Sequence, residues 1–383
     1  MKYCDKCLCP NTRPGIVLNE DNICTGCNGQ IFKDEKINWN EMEKKFLNIC
    51  NEAREKAINY DCIIPASGGK DSWYAIIKCK EYGLKPLVFT YRTPGRTAIG
   101  QENVDLMIKN LSVDHIDFTV STELEKKFMK KSFEVKGDPG LPFHMAVYVM
   151  PYKFAKLMKI PLIVWGENPQ LEFGGSKDEQ LKTEINDDWM SKFGCMQGTD
   201  ADYWIDQGIS SYEIDPFKLN QFPNNTNDFT VSRIFLGAFF KWNSFENAKI
   251  ARDYGFISGD EFKKTGHWNF ADLDCNFISL HHFPMLYKFG TLRALDNLSV
   301  QIRYGLITKK DAISTFEKQG LIIPHDDIKS FCEFVKEDIS WFWKTLENFR
   351  NNQIWSKRND VWYIPNFIIK QFDWEYLNKY AYN

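Results

Sequence analysis

The chain has 383 residues, 43% of them hydrophobic and 26% charged, with a formal net charge of -3. That composition is globular, has room for two or three domains, and excludes a disordered chain. A slightly acidic balance gives no general pull toward nucleic acid, so no nucleic-acid partner is expected, although a local basic patch stays open. The start, Met1-Lys2-Tyr3-Cys4, has no apolar leader. The apolar run IPLIVW (160–165) falls far short of the ~20 residues that span a bilayer. No membrane partner is expected. Eleven cysteines, an odd number, argue against a secreted disulfide framework, and a reducing cytoplasm is the expected location. Aromatic residues reach 15%, which suits a bulky core and pockets that stack flat or sugar-like ligands.

In chain order, the first element is a cysteine-rich head. YCDKC supplies Cys4 and Cys7, and ICTGC supplies Cys24 and Cys27. Two C-x2-C knuckles separated by 16 residues point four thiolates at one centre. A ribbon over residues 1–32 is too short to fold on apolar burial, so a structural Zn²⁺ would supply its stability. Four thiolates also suit an iron–sulfur cluster, and that option stays open. Cys9 is read as a spectator.

A strand over 60–66, a helix over 72–82 closed by Gly83, and a strand over 86–91 follow, the sequence of an α/β unit. The turn between the first strand and the helix reads Ser67-Gly68-Gly69-Lys70-Asp71-Ser72. Its glycines let backbone N–H groups approach an anion, and the helix N-terminus adds its dipole. Ser67 and Ser72 offer hydroxyl donors, Lys70 a point charge, and Asp71 a helix cap or a ligand for Mg²⁺. A Walker A loop is excluded, because Ile64 and Asp71 stand where it needs glycine and a hydroxyl. The six residues resemble the S-G-G-x-D-S loop of the ATP pyrophosphatases (PP-loop superfamily). That resemblance implies a Rossmann-like parallel sheet and cleavage of ATP between its α and β phosphates, with adenylation of a substrate oxygen.

A third strand, Leu162–Trp165, ends in GENPQLEFGG. This places Glu167 and Asn168 at a strand's carboxyl end, where ligands gather in such sheets. Glu167 is a candidate to hold Mg²⁺ or orient the reacting group, and Glu172 lies near the mouth. Residues 174–230 are polar and read as an insertion that lids the pocket. From 285 the pattern is helical, with Thr308 as an N-cap and Gly320 as a helix end. Cys195 in FGCMQG has the wrong residue order for a glutaminase nucleophile elbow. The expected domains are thus 1–32, an α/β domain over 33–284, and a helical region over 285–383.

The head MKYCDKC…CTGC, the SGGKDS loop, IPLIVWGENPQLEFGG, LGAFFKW and FGTLRALDNLSVQIRYGLITKKDAI, in that order, resemble the N-acetyl sugar amidotransferases of the WbpG/PseA type. The likeness runs from Met1 to about residue 355. It implies conversion of an acetamido group on a bacterial surface sugar, nucleotide-linked or free, into an acetamidino group, with ATP and ammonia consumed. It also implies ammonia-supplying subunits similar to the histidine-pathway glutaminase and its barrel partner. On this reading Lys70, Asp71 and Glu167 are the catalytic candidates. Ser67, Gly68, Gly69, Ser72 and Arg92 join Lys70 and Asp71 in holding ATP. Arg96, His144, Asn168, Glu172, Arg293 and Asp296 are candidate substrate contacts. Arg303 either contacts ligand or salt-bridges within its helix, and His281-His282 either face ligand or form a core pair. A zinc-bearing tRNA thiolase is the rival within the fold. It would want a reactive cysteine, whereas Cys62 and Cys79 fall on buried faces.

Overall fold

The computed structural model describes residues 1–193, 196–219, 229–260 and 265–382. Cys195 and the QFPNNTND segment of the expected insertion lie outside the described residues. The ribbon leads into α1 (Thr25–Glu35) and α2 (Trp39–Lys56). A parallel α/β run follows: β1 (Cys62–Pro65), α3 (Lys70–Glu81), β2 (Pro86–Tyr91), α4 (Ala98–Leu111) and β3 (Asp114–Phe118). Next come α5 (Thr122–Lys136), α6 (Leu141–Met158), β4 (Leu162–Trp165) and α7 (Pro169–Phe173). The short helices α8 (Lys177–Gln180), α9 (Asp187–Phe193), α10 (Ala201–Asp206) and α11 (Ser211–Ile214) occupy the expected insertion. β5 (Ser232–Phe235) and α12 (Ser244–Asp253) complete the sheet layer.

All strand pairs in the five-stranded sheet are parallel, and their order is β3-β2-β1-β4-β5. The chain steps outward from β1 to β2 and β3, then returns to place β4 on β1's other side. The carboxyl ends of β1 and β4 therefore flank the switch point, where parallel sheets open a crevice. SGGKDS leaves one of these ends and GEN the other, so the topology brings both motifs to one place. Sequence periodicity recognises β1, β2 and β4 because they are continuous apolar runs buried on both faces. It passes over β3, a half-exposed strand reading DHIDF, and β5, which reads SRIF. Leu162–Trp165 is accordingly the fourth strand and not the third.

The remaining helices are α13 (Ile278–His282), α14 (Pro284–Phe289), α15 (Arg293–Arg303), α16 (Lys309–Gln319), α17 (His325–Val335) and α18 (Ile339–Glu347). A two-stranded ribbon, β6 (Ser356–Arg358) with β7 (Val361–Tyr363), and α19 (Trp374–Tyr382) end the described chain. Thr308 caps α16 through the Asp311 amide and Gly320 closes it, as the sequence predicts. One apolar core surrounds the sheet. A second, built on Phe331, Phe342 and Leu298, holds the C-terminal helices and takes in Leu8 of the cysteine-rich head. Among the described residues no helix is long and apolar enough to cross a membrane.

Candidate active site

The turn after β1 is held in shape by its own side chains. Ser67 N–H donates to Ser72 Oγ at 3.1 Å, Gly69 N–H to Ser67 Oγ at 3.4 Å, and Trp73 Nε1–H to Gly68 O at 3.2 Å. Gly68 has φ +89°, and a Cβ there would lie 2.8 Å from Val104 Cγ2. Only glycine fits that position. Gly69 caps α3 with no side-chain bond to the first-turn amides, which leaves that dipole end for an anion. Lys70 Nζ sits beside them, 2.5 Å from Asp71 Oδ2.

Two cavities meet at this turn. The smaller, about 210 Å³, is lined by Ser67 through Asp71, by Asn103 and Ser244, and by Asp272, Asp274 and Arg293. The larger, about 470 Å³, reaches from Ala66 and Tyr91 past Tyr148, Trp165 and Phe173 to His144, His281 and His282. Ser67, Asp71, Glu167, Phe173, Asp272 and Arg293 line both. These six are the shared wall. Burial, with the Asp71 charge added, pushes the Glu167 carboxyl up to about 7. Burial also raises Asp272, but Arg293, 3.2 Å away, His282 and Lys70 together outweigh it and hold that carboxyl at about 2. One acid is thereby ready to exchange a proton near neutral pH while its neighbour stays ionised. Asp71 Oδ1 is buried with no hydrogen-bond partner, a lone oxygen that a hard cation would satisfy. Mg²⁺ takes one or two carboxylates and completes its shell with phosphate and water, which suits Asp71 with Glu167 or Asp272.

The cysteine centre is a separate feature. The Sγ atoms of Cys4, Cys7, Cys24 and Cys27 lie within 4.8 Å of one another, with Cys4–Cys27 at 3.8 Å and Cys7–Cys24 at 3.6 Å. Tetrahedral zinc with bonds of ~2.3 Å requires sulfur–sulfur distances of ~3.8 Å. The Cys24 N–H points at Cys4 Sγ (3.2 Å) and the Cys27 N–H at Cys24 Sγ (3.3 Å). The four residues fit a closed, structural Zn²⁺. Cys9 stands outside the four, 3.1 Å from an Arg303 guanidinium nitrogen.

The structure brings Ser67, Gly68, Gly69, Lys70, Asp71 and Glu167 to the smaller cavity. Ser72, His144, Arg293 and Asp296 reach the larger one. Four expected site residues stand elsewhere. Arg92 turns outward to Asp117, its Nε 2.9 Å from Oδ2, because β3, hidden in the sequence, places that carboxylate beside it. Arg96 donates to Gln101 Oε1 (3.3 Å) and the Tyr91 carbonyl (3.4 Å). Asn168 Oδ1 caps α7 through the Gln170 and Leu171 amides. Glu172 is buried against Lys33 Nζ (2.6 Å) and Tyr304 Oη (2.9 Å). Arg303 lines neither of these two cavities and, among the described residues, forms no ion pair along its helix. It donates to the Glu172 carbonyl at 2.9 Å and leans on the cysteine centre. Cys62 and Cys79 are buried as expected, and burial raises the Cys62 thiol well above its ordinary range.

Several cavity residues escaped the sequence reading: Asp272, Asp274, Asn103, Ser244 and Arg13. Asp272 carries a positive φ of +59°, a conformation uncommon outside glycine and concentrated at functional sites. The cluster of acids in NFADLDC was the available signal. Arg13 comes from the ribbon, and nothing local marks it. Its Nε pairs with Asp296 Oδ1 at 2.8 Å, and its guanidinium lies over Phe173.

The parallel sheet with order β3-β2-β1-β4-β5, the diglycine turn at its switch point and the paired cavities make a Rossmann-like α/β fold with a site at the strands' carboxyl ends. Residues 259–368 match the family described as LPS biosynthesis protein WbpG-like, C-terminal domain. No curated protein matches the chain by sequence. Solved structures similar in part include an NH3-dependent NAD synthetase from Campylobacter jejuni, 17% identical over 38% of this chain and 65% of its own, with a TM-score of 0.30. An NMN synthetase from Francisella tularensis is 14% identical over 49% of this chain and 100% of its own, with a TM-score of 0.29. A predicted tRNA methyltransferase subunit from Methanocaldococcus jannaschii is 15% identical over 53% and 78%, again at 0.29. At such scores these are distant likenesses, and the chemistry below rests on this chain's own residues.

Proposed function

We propose that the protein is the synthetase subunit of an ATP-dependent amidotransferase. It converts the acetamido group of an N-acetyl sugar, free or nucleotide-linked, into an acetamidino group. The observation that carries this reading is the shared wall: a phosphate-cradling turn and a sugar-sized cavity meet at Asp71, Glu167, Asp272 and Arg293. ATP would lay its β and γ phosphates on the glycine turn and Lys70, leaving the α-phosphorus at the junction. The amide oxygen attacks that phosphorus and pyrophosphate leaves. Glu167, with its raised affinity for a proton, accepts the amide N–H proton as the imidoyl adenylate forms. Ammonia then adds to the imidate carbon and AMP departs with the former amide oxygen. Asp71 would hold Mg²⁺ against the phosphates, and most of the acceleration would come from positioning and charge neutralisation. The match to a lipopolysaccharide-biosynthesis family supports a surface-polysaccharide sugar as substrate. A cytoplasmic site of action and a glutaminase-type partner that supplies the ammonia complete the proposal.

The test is to incubate the protein with ATP, Mg²⁺, ammonium and nucleotide-linked acetamido sugars, and to measure AMP, pyrophosphate and sugar mass. Sugar-dependent AMP and pyrophosphate, with one oxygen replaced by NH in the sugar, is the expected result. Release of ADP, or AMP formation driven by tRNA and not by any sugar, would contradict it.

A further inference from the structure

The larger cavity carries a second set of titratable groups, away from the glycine turn. His144 on α6 and His281 and His282 on α13 all line it, while none lines the smaller cavity. His281 Nδ1 lies 2.8 Å from Asp138 Oδ2. A carboxylate only accepts, so Nδ1 carries a hydrogen and Nε2 is the ring nitrogen left for another partner. Asp138 is fixed from several sides. Its Oδ1 accepts from the Gly140 amide at 2.9 Å, and its Oδ2 also accepts from Gln197 Nε2 at 2.7 Å. Burial works against its charge, but His281 and Lys288 outweigh this and hold the carboxyl well below the usual range. The ring of His144 packs 4.4 Å from that of His281, and the ring of His282 lies at 5.3 Å. Burial, then the His281 charge, pushes His144 down to about 3, and burial lowers His282 as well. Both neighbours are therefore neutral. Of the three rings, only His281 is bonded to Asp138, while Asp272 lies in reach of His282's charge.

We propose that His281, oriented by Asp138, is the base of the amination half of the reaction, acting on the nitrogen that attacks the imidate carbon. This rests on the amidotransferase reading. Glu167 at the shared wall serves the adenylation half, so the two proton transfers fall to different residues. The ammonia lone pair forms the new C–N bond, and the C=N pair moves onto the sugar nitrogen. One proton passes from the attacking nitrogen to His281 Nε2. The sugar-nitrogen pair then restores C=N as the C–O bond breaks, and AMP leaves with that bond's electrons. The amidine is a stronger base than imidazole and takes the proton back as it departs, which resets His281 for the next turnover. Asp138 is a positioning residue that fixes the ring through Nδ1 and stabilises the imidazolium formed in between.

The two halves can be measured separately in the full-length protein. Sugar-dependent exchange of labelled pyrophosphate into ATP, without ammonium, reports adenylation. Amidine formation with ammonium reports the whole reaction. His281→Gln retains a donor for Asp138, and it is expected to hold exchange within about threefold of wild type while amidine formation falls about 10²- to 10⁴-fold. Asp138→Asn should lower amidine formation by about tenfold or more, again with exchange retained. Added imidazole should restore amidine formation in His281→Ala without changing its exchange rate. Loss of both halves together in His281→Gln, or amidine formation within threefold of wild type, would overturn the assignment. Absence of sugar-dependent exchange in the wild type would instead sink the amidotransferase reading itself.

Discussion

Glu167 is where residue-scale chemistry is easiest to measure. Its folded carboxyl keeps a proton up to about pH 7 instead of its ordinary 4.5. Between those values the folded state binds more protons than the unfolded one, so stability falls as pH rises through that window. Above it, the ionised carboxylate is a standing cost beside Asp71. Glu167→Gln should be more stable than wild type at pH 8 by on the order of 3 kcal/mol, and no different at pH 4. Denaturation at the two pH values checks this; a destabilised variant at pH 8 would contradict it. The rate of pyrophosphate exchange should rise with pH through about 7 in the wild type, and the Gln variant should lose that limb. Sequence alone gave Glu167 its place, because a carboxylate two residues past a buried strand has few other destinations. It could not give Asp272 or Asp138, whose roles depend on Arg293 and His281 arriving from elsewhere in the chain.

At the scale of elements, the ribbon does more than stabilise itself. Arg303 on α15 reaches Cys9 and the Glu172 carbonyl, Lys33 on α1 pairs with Glu172 on α7, and Arg13 enters the larger cavity. The cysteine centre thus braces α7, the helix that follows Glu167. Stripping the metal with a chelator, or Cys24→Ser, should lower the melting temperature, and cut sugar-dependent AMP release by more than about tenfold, although no cysteine of the centre lines either of the two cavities. Metal analysis should find one zinc per chain. Full activity in the metal-free protein would show that the ribbon and the site are independent. The four cysteines were legible because paired C-x2-C spacing is local. The bracing was not, because Lys33 looks like an ordinary surface charge and Glu172 reads as a substrate contact until the fold buries both. Arg92 shows the converse: a plausible phosphate ligand until an edge strand, too polar to stand out, supplies Asp117.

Over the whole molecule, the site is a seam between two parts of the chain. The sheet contributes the glycine turn and Glu167. The WbpG-like segment over residues 259–368 contributes Trp268, Phe270, Asp272, Asp274, His281, His282 and Arg293. Parallel architecture and the phosphate turn were readable from buried strands and glycine placement, since those signals need only a few adjacent residues. The facing wall was not, because its residues sit in loops and short helices and owe their meaning to packing across the crevice. On the proposed reading the sheet would activate the nucleotide, and the C-terminal segment would shape the cavity in which the acceptor lies. The central claim is that an amide oxygen becomes the leaving group on the α-phosphorus. The direct measurement is oxygen transfer from a sugar carrying ¹⁸O in its acetamido carbonyl. The label should appear in AMP, with an acetamidino sugar formed in equal amount. Unlabelled AMP, or label retained in the sugar after turnover, would contradict the account.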